Sequence, residues 1–157
     1  MEEKSGRFES PEAFEDLERF TASWNGGASP VKDIFLRIKT VLLERPGTRL
    51  DFHSRPGVSY SLRASRVIGA SSRLFALVDV VDDDPENRWL SVCFYADTVT
   101  DPESLGNLVP EGIMGENGYC FDVFEEDSSL FEYLEERIRE ACKHAGDTLS
   151  SNGERER

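Results

Sequence analysis

Two nine-residue stretches constrain this chain more than any other feature. Residues 73–81 read Arg-Leu-Phe-Ala-Leu-Val-Asp-Val-Val, and residues 88–96 read Arg-Trp-Leu-Ser-Val-Cys-Phe-Tyr-Ala. Both are apolar at odd and even positions alike, the pattern of strands covered on both faces in the middle of a sheet. Between them runs Asp82-Asp83-Asp84-Pro85-Glu86-Asn87, too polar to bury, so the two strands form an antiparallel hairpin with an exposed connection.

The flanking segments fit the edges of such a sheet. Leu50 and Phe52 alternate with Arg49, Asp51 and His53, and Val58, Tyr60 and Leu62 alternate with Ser59, Ser61 and Arg63. Pro56-Gly57 between them suits the central positions of a type II turn, which predicts a hairpin with one wet face on each strand. Tyr119, Phe121 and Val123 alternate in the same way and predict a fifth strand. The intervening residues 97–117 are polar and rich in Gly and Pro; they read as a long loop with a short helix at about 101–106.

Helical spacing governs the two ends. Ser10-Pro11 caps and opens a helix over about 11–24 with Ala13, Leu17, Phe20 and Trp24 on one side, stopped by Asn25-Gly26-Gly27. After Ser29-Pro30, the residues Val31, Ile34, Phe35, Ile38, Val41 and Leu42 form a second stripe that ends before Pro46-Gly47. A third helix starts at Ser128 or Ser129, where Ser129 and Glu132 have capping-box spacing, and ends at Gly146. The fold expected is α+β, a five-stranded, mainly antiparallel sheet covered by helices in the order ααβββββα. Residues 10–146 form the domain, between a flexible acidic leader at 1–9 and a flexible tail at 147–157.

At 157 residues the chain suits one core, and no apolar run approaches the length of a bilayer span. The N-terminal residues lack the basic and apolar regions of a secretory signal, and three cysteines without a C-x-x-C pair read as reduced, buried thiols; both point to the cytoplasm. The net charge of −13 is unevenly spread: residues 32–75 carry nine bases and three acids, a local excess of +6. The whole-chain charge opposes approach to nucleic acid, so no duplex partner is expected.

Three groups of residues carry chemical possibilities. Arg49, Arg55, Arg63 and Arg66, with His53 and Tyr60, concentrate guanidinium groups near one sheet face bordered by residues 97–117; arginine forks bind carboxylates and phosphates, so the partner is an acidic protein or a small anionic ligand. Pairing of those arginines with the chain's own carboxylates is the competing reading. Glu12, Glu15 and Asp16, with Asp82, Asp83 and Asp84, offer oxygen ligands to a hard cation, although their spacing matches no EF-hand loop. His53 could serve acid/base chemistry if a pocket supplied a carboxylate or nucleophile. No hydrolase, metalloprotease, Walker or dinucleotide-binding motif is present, and no cofactor is implied.

The run from Arg55-Pro56-Gly57-Val58-Ser59-Tyr60-Ser61-Leu62, through Leu74-Phe75-Ala76-Leu77-Val78, to Trp89-Leu90-Ser91-Val92 resembles the small bacterial YdhG-like domains and related families. The resemblance covers about residues 30–100 and implies a helix followed by strands. Some members are described as iron-chaperone-like, which would suit the acidic first helix; no ligand motif matches residue by residue, so the resemblance assigns no site. The reading that follows is a non-enzymatic interaction or ligand-binding module with a basic sheet face, with an acidic metal-handling protein as the alternative and a His53-based enzyme behind both.

Overall fold

In the computed structural model, which describes residues 6–24 and 30–155, the change of period at Pro46-Gly47 divides the chain as its sequence suggests. Helices α1 (Pro11–Ser23) and α2 (Lys32–Glu44) precede six strands: β1 (Thr48–Arg55), β2 (Ser59–Ile68), β3 (Ser71–Val81), β4 (Trp89–Tyr95), β5 (Asn107–Ile113) and β6 (Glu116–Val123). A long helix, α3 (Ser128–Arg155), follows. The strands form one antiparallel sheet in the order β1-β2-β3-β4-β6-β5.

The expected α+β class and open antiparallel sheet are present, with six strands rather than five. The additional strand is β5, inside the stretch read as a loop. Its residues Asn107 to Gly112 are all exposed and include Pro110, so no alternation of burial marks it; pairing with β6 makes it a strand. No helix forms at 101–106. There the Asp101 carboxylate accepts from the backbone N–H groups of Leu105 and Gly106, both at 2.9 Å, which substitutes a side-chain acceptor for helical carbonyls.

Local chemistry explains the termini of the elements. Ser10 accepts from the Ala13 N–H at 3.1 Å and Pro11 opens α1. The Val58 N–H donates to the Arg55 carbonyl, and Gly57 takes φ +83° at the position a type II turn reserves for it. Asp127, rather than Ser128 or Ser129, caps α3 by accepting from the Leu130 N–H. Helix α3 passes through Gly146 without stopping, supported by the Lys143–Asp147 pair one turn apart.

Near the N-terminus, residues 7–9 are paired rather than frayed. The Leu50 N–H donates to the Arg7 carbonyl and the Glu9 N–H to the Leu50 carbonyl, each at 2.8 Å, and Phe8 is buried. Arg7 further donates to the carbonyls of Thr48 and Leu43. The segment thereby covers part of the exposed edge of β1.

The helices occupy one face of the sheet. Leu17 and Phe20 of α1, Ile34, Phe35 and Ile38 of α2, and Leu134 and Ile138 of α3 share a single buried cluster with Leu50, Leu62, Val78, Val92 and Phe121 from five strands. Each such side chain contributes roughly 1.5–3 kcal/mol when fully removed from water. Between Ala64 and Ser65 the register shifts, leaving Phe75 as an extra residue on β3, so that Phe75 and Ala76 both enter this core. The opposite face carries a smaller apolar cluster of Leu77, Cys93, Tyr95, Cys120 and Ile113.

Cys93 and Cys120 face each other directly across β4 and β6 and form a disulfide, leaving buried Cys142 as the free thiol. This replaces the expectation of three reduced cysteines. The residues lie 27 positions apart, and only the adjacency of β4 and β6 in the sheet brings them together.

Candidate functional site

On a strand, alternate residues share a face, so the register determines which polar side chains meet on the helix-free side. One row across the sheet reads His53, Ser61, Asp79, Ser91, Asp122 from β1 to β6. The neighbouring row reads Asp51, Arg63, Leu77, Cys93, Cys120, and on the other side Arg55, Ser59, Val81 and Trp89 align. Trp89 stacks on Phe124 with ring centroids 5.0 Å apart, and Phe124 is 62% exposed. The face is therefore a polar band bounded by the cystine cluster and an accessible aromatic pair.

Asp79 is the centre of that band. It interrupts the apolar run of β3, and its Oδ1 is buried with no hydrogen-bond partner. Burial pushes its carboxyl above the usual range, opposed by the hydroxyl of Ser61 and by the Arg63 and Arg55 guanidinium groups. Arg63 Nε also donates to the Ser61 hydroxyl at 3.4 Å. Among the described residues, Arg49, Arg55 and Arg63 have no carboxylate oxygen within 4.0 Å. By contrast, Arg19, Arg88, Arg137 and Arg139 are all ion-paired.

Four of the six arginine-group residues singled out from the sequence lie on this face: Arg49, His53, Arg55 and Arg63. Tyr60 and Arg66 do not. Tyr60 has the parity of Leu62, so its ring turns inward and stacks on Phe20 at 4.0 Å, beneath the Arg88 guanidinium. Arg66 pairs with inward-facing Thr48 and reaches α3, where one guanidinium nitrogen lies 3.6 Å from Cys142 Sγ. Residues 97–117 do not border the arginines, because β5 is the edge strand farthest from β1. Only Ile113 at the end of that strand folds back into the cluster containing Leu77.

His53 Nε2 lies 2.8 Å from Asp51 Oδ2, two residues away on the same strand face. Ser61 stands opposite, yet no hydrogen bond joins it to His53 among the described residues. The imidazole is exposed on an open sheet, which does nothing to exclude water from a reacting group.

Of the six acidic residues considered as cation ligands, Asp16, Asp82 and Asp84 are engaged elsewhere and Glu12, Glu15 and Asp83 are exposed. Glu12 and Glu15 point outward from α1, and Asp16 pairs with Arg19. Asp82 is buried, holding Arg88 Nε at 2.7 Å and the Gly57 N–H at 2.8 Å. Asp84 accepts from the Glu86 N–H and the Asn87 side chain, while Asp83 is exposed. No group of three His, Cys, Asp or Glu side chains is placed to hold a metal ion among the described residues.

A second carboxylate organises the structure without lying on the band. Asp101 accepts from the hydroxyls of Tyr119 and Tyr133 as well as from two backbone N–H groups, and these donors hold its carboxyl well below the usual range despite partial desolvation. Thr100 donates through its N–H and hydroxyl to Glu140. The segment before β5 is thus strapped to α3.

No helix among the described residues is long and apolar enough to cross a membrane. No protein-family model, curated protein or solved structure matches the chain.

Proposed function

We propose that this chain is a non-enzymatic interaction module whose helix-free sheet face receives an acidic segment of a partner protein. The observation that carries this reading is the state of Arg49, Arg55 and Arg63. In a chain with 31 acidic residues, these three guanidinium groups share one face without an ion-pair partner among the described residues. Unpaired arginines on β1 and β2 and the accessible Trp89–Phe124 pair at β4 share one face of the sheet, and these residue types dominate binding energy at protein interfaces. The overall charge of −13 does not forbid an acidic partner. At physiological ionic strength charges farther than about 8 Å are largely screened, so the local face governs the encounter.

The test is fluorescence anisotropy with a labelled peptide of alternating Glu and Phe, against a control in which Gln replaces Glu. Saturable binding of the acidic peptide that weakens as salt rises, and that is lost in the Arg55→Glu/Arg63→Glu variant, is the expected result. Binding that ignores this charge reversal, or equal binding of the Gln control, would overturn the proposal. So would the absence of saturable binding.

A further inference from the structure

On the opposite side of the sheet, where the α2–β1 connection and the end of β2 meet α3, lies a cleft of about 340 Å³. Its charged lining inverts the character of the chain: Arg45, Arg66, Arg139 and Lys143 against the single carboxylate of Asp147. Two of these cations are already engaged, Arg139 with Glu135 and Glu136 and Lys143 with Asp147. Arg45 and Arg66 have no ion-pair partner among the described residues, and the Nε of each is buried without an acceptor.

The setting of Arg66 is built rather than incidental. Its guanidinium fits in a slot between two glycines. A Cβ at Gly47 would lie 3.3 Å from Arg66 Nε and 2.7 Å from the Val67 carbonyl oxygen, and one at Gly146 would lie 3.5 Å from Arg66 Cζ. Gly47 also holds φ +64°, a conformation that disfavours any replacement. Within the slot, the hydrogen-bond acceptor near the guanidinium is the sulfur of Cys142 at 3.6 Å, a weak one. A cation partly removed from water, with a thiol as its hydrogen-bond acceptor and the Asp147 carboxylate attracting it only from beyond ion-pair distance, is under-compensated; an oxyanion would supply what is missing.

We infer that this cleft is a binding site for a small phosphomonoester, with Arg66 and Arg45 as the principal anion ligands and Lys143 and Arg139 at its mouth. Two unpaired guanidinium groups match a dianion with several acceptor oxygens better than a single carboxylate. The volume falls at the small end of ligand pockets, enough for a phosphate and a short organic stem. Nothing in this assignment draws on the arginines of the open sheet face, so either site can fail alone.

The experiment is an NMR and thermal-shift titration of the full chain with inorganic phosphate and with glycerol 3-phosphate, at constant ionic strength set by chloride. Saturable amide shifts at Gly47, Val67 and Gly146 with a raised Tm are expected. In Arg66→Gln the phosphate affinity should fall by about tenfold or more, and in exposed Lys143→Gln by about two- to threefold. If Arg66→Gln does not fold, Arg45→Gln is the substitute and should show the same large loss. The inference is overturned if neither phosphate gives a saturable response, if acetate reproduces it at equal concentration, or if the arginine variants bind as the parent does. Binding only to vesicles containing phosphatidic acid, and not to the soluble phosphates, would also overturn the assignment to a small ligand.

Discussion

Replacing Asp101 by Ala should destabilise the fold by about 2–3 kcal/mol, although the residue lies outside both proposed sites. Its carboxylate is the shared acceptor for the Tyr119 and Tyr133 hydroxyls and for the Leu105 and Gly106 N–H groups. Four separate hydrogen bonds to a charged acceptor would sum to more. Here the donors share one group, and the backbone amides regain water when it is removed, so the total is discounted accordingly. The substitution also removes one of the ties between the segment before β5 and α3, leaving the Glu103 N–H bond to the Tyr133 hydroxyl and the Thr100–Glu140 bonds. Urea unfolding followed by tryptophan fluorescence and circular dichroism measures the effect as a lower midpoint at constant slope. The pH dependence gives an independent check. Because the folded carboxyl titrates below its ordinary value of about 3.9, its contribution is complete above that pH and is lost as pH falls through the folded pKa. The gap between parent and variant should therefore be constant from pH 5 to 7 and shrink in stronger acid. A loss under about 0.5 kcal/mol, or a gap that widens on acidification, would refute the reasoning.

Asp79→Asn should behave oppositely, raising stability at neutral pH by about 0.5–1.5 kcal/mol in a thermal or urea melt, because a buried carboxylate with an unpartnered oxygen becomes neutral. The parent's own penalty grows as pH rises from the ordinary Asp range through the raised folded pKa, so the advantage of the variant should vanish in acid. Gly47→Ala should cost about 1–3 kcal/mol, and clearly more than Gly57→Ala: both glycines have positive φ, but only the first would drive a Cβ into a backbone carbonyl. Thiol titration of the unfolded, unreduced chain should find one reactive cysteine, Cys142, and three after reduction. Loss of the bridge should lower stability by about 3–4 kcal/mol for a loop spanning 27 positions, and three free thiols before reduction would contradict the pairing.

How much of this was legible in the chain can be traced residue by residue. The apolar spacing of Ala13, Leu17 and Phe20 and the alternation around Leu50, Phe52 and Leu62 identify both the elements and the sides they bury, because helix and strand periods are local properties. The same parity separates Tyr60 from Arg63, and an aspartate inside the apolar run of β3 marks Asp79. Proximity in sequence places Tyr60 and Arg66 with the outward arginines, although parity turns both toward the helices. Strand β5 left no trace, since an exposed edge strand containing Pro110 has no buried face to impose a period.

The helices and most of the strands, the faces they bury and the turn at Pro56-Gly57 follow from local periods and turn chemistry in the chain. Which distant residues meet does not. The bulge opposite Ala64 and Ser65, the adjacency of Cys93 and Cys120, and the passage of Arg66 between Gly47 and Gly146 all depend on strand order and on helix placement. Those are set by packing between elements remote in the chain, and no local period records them.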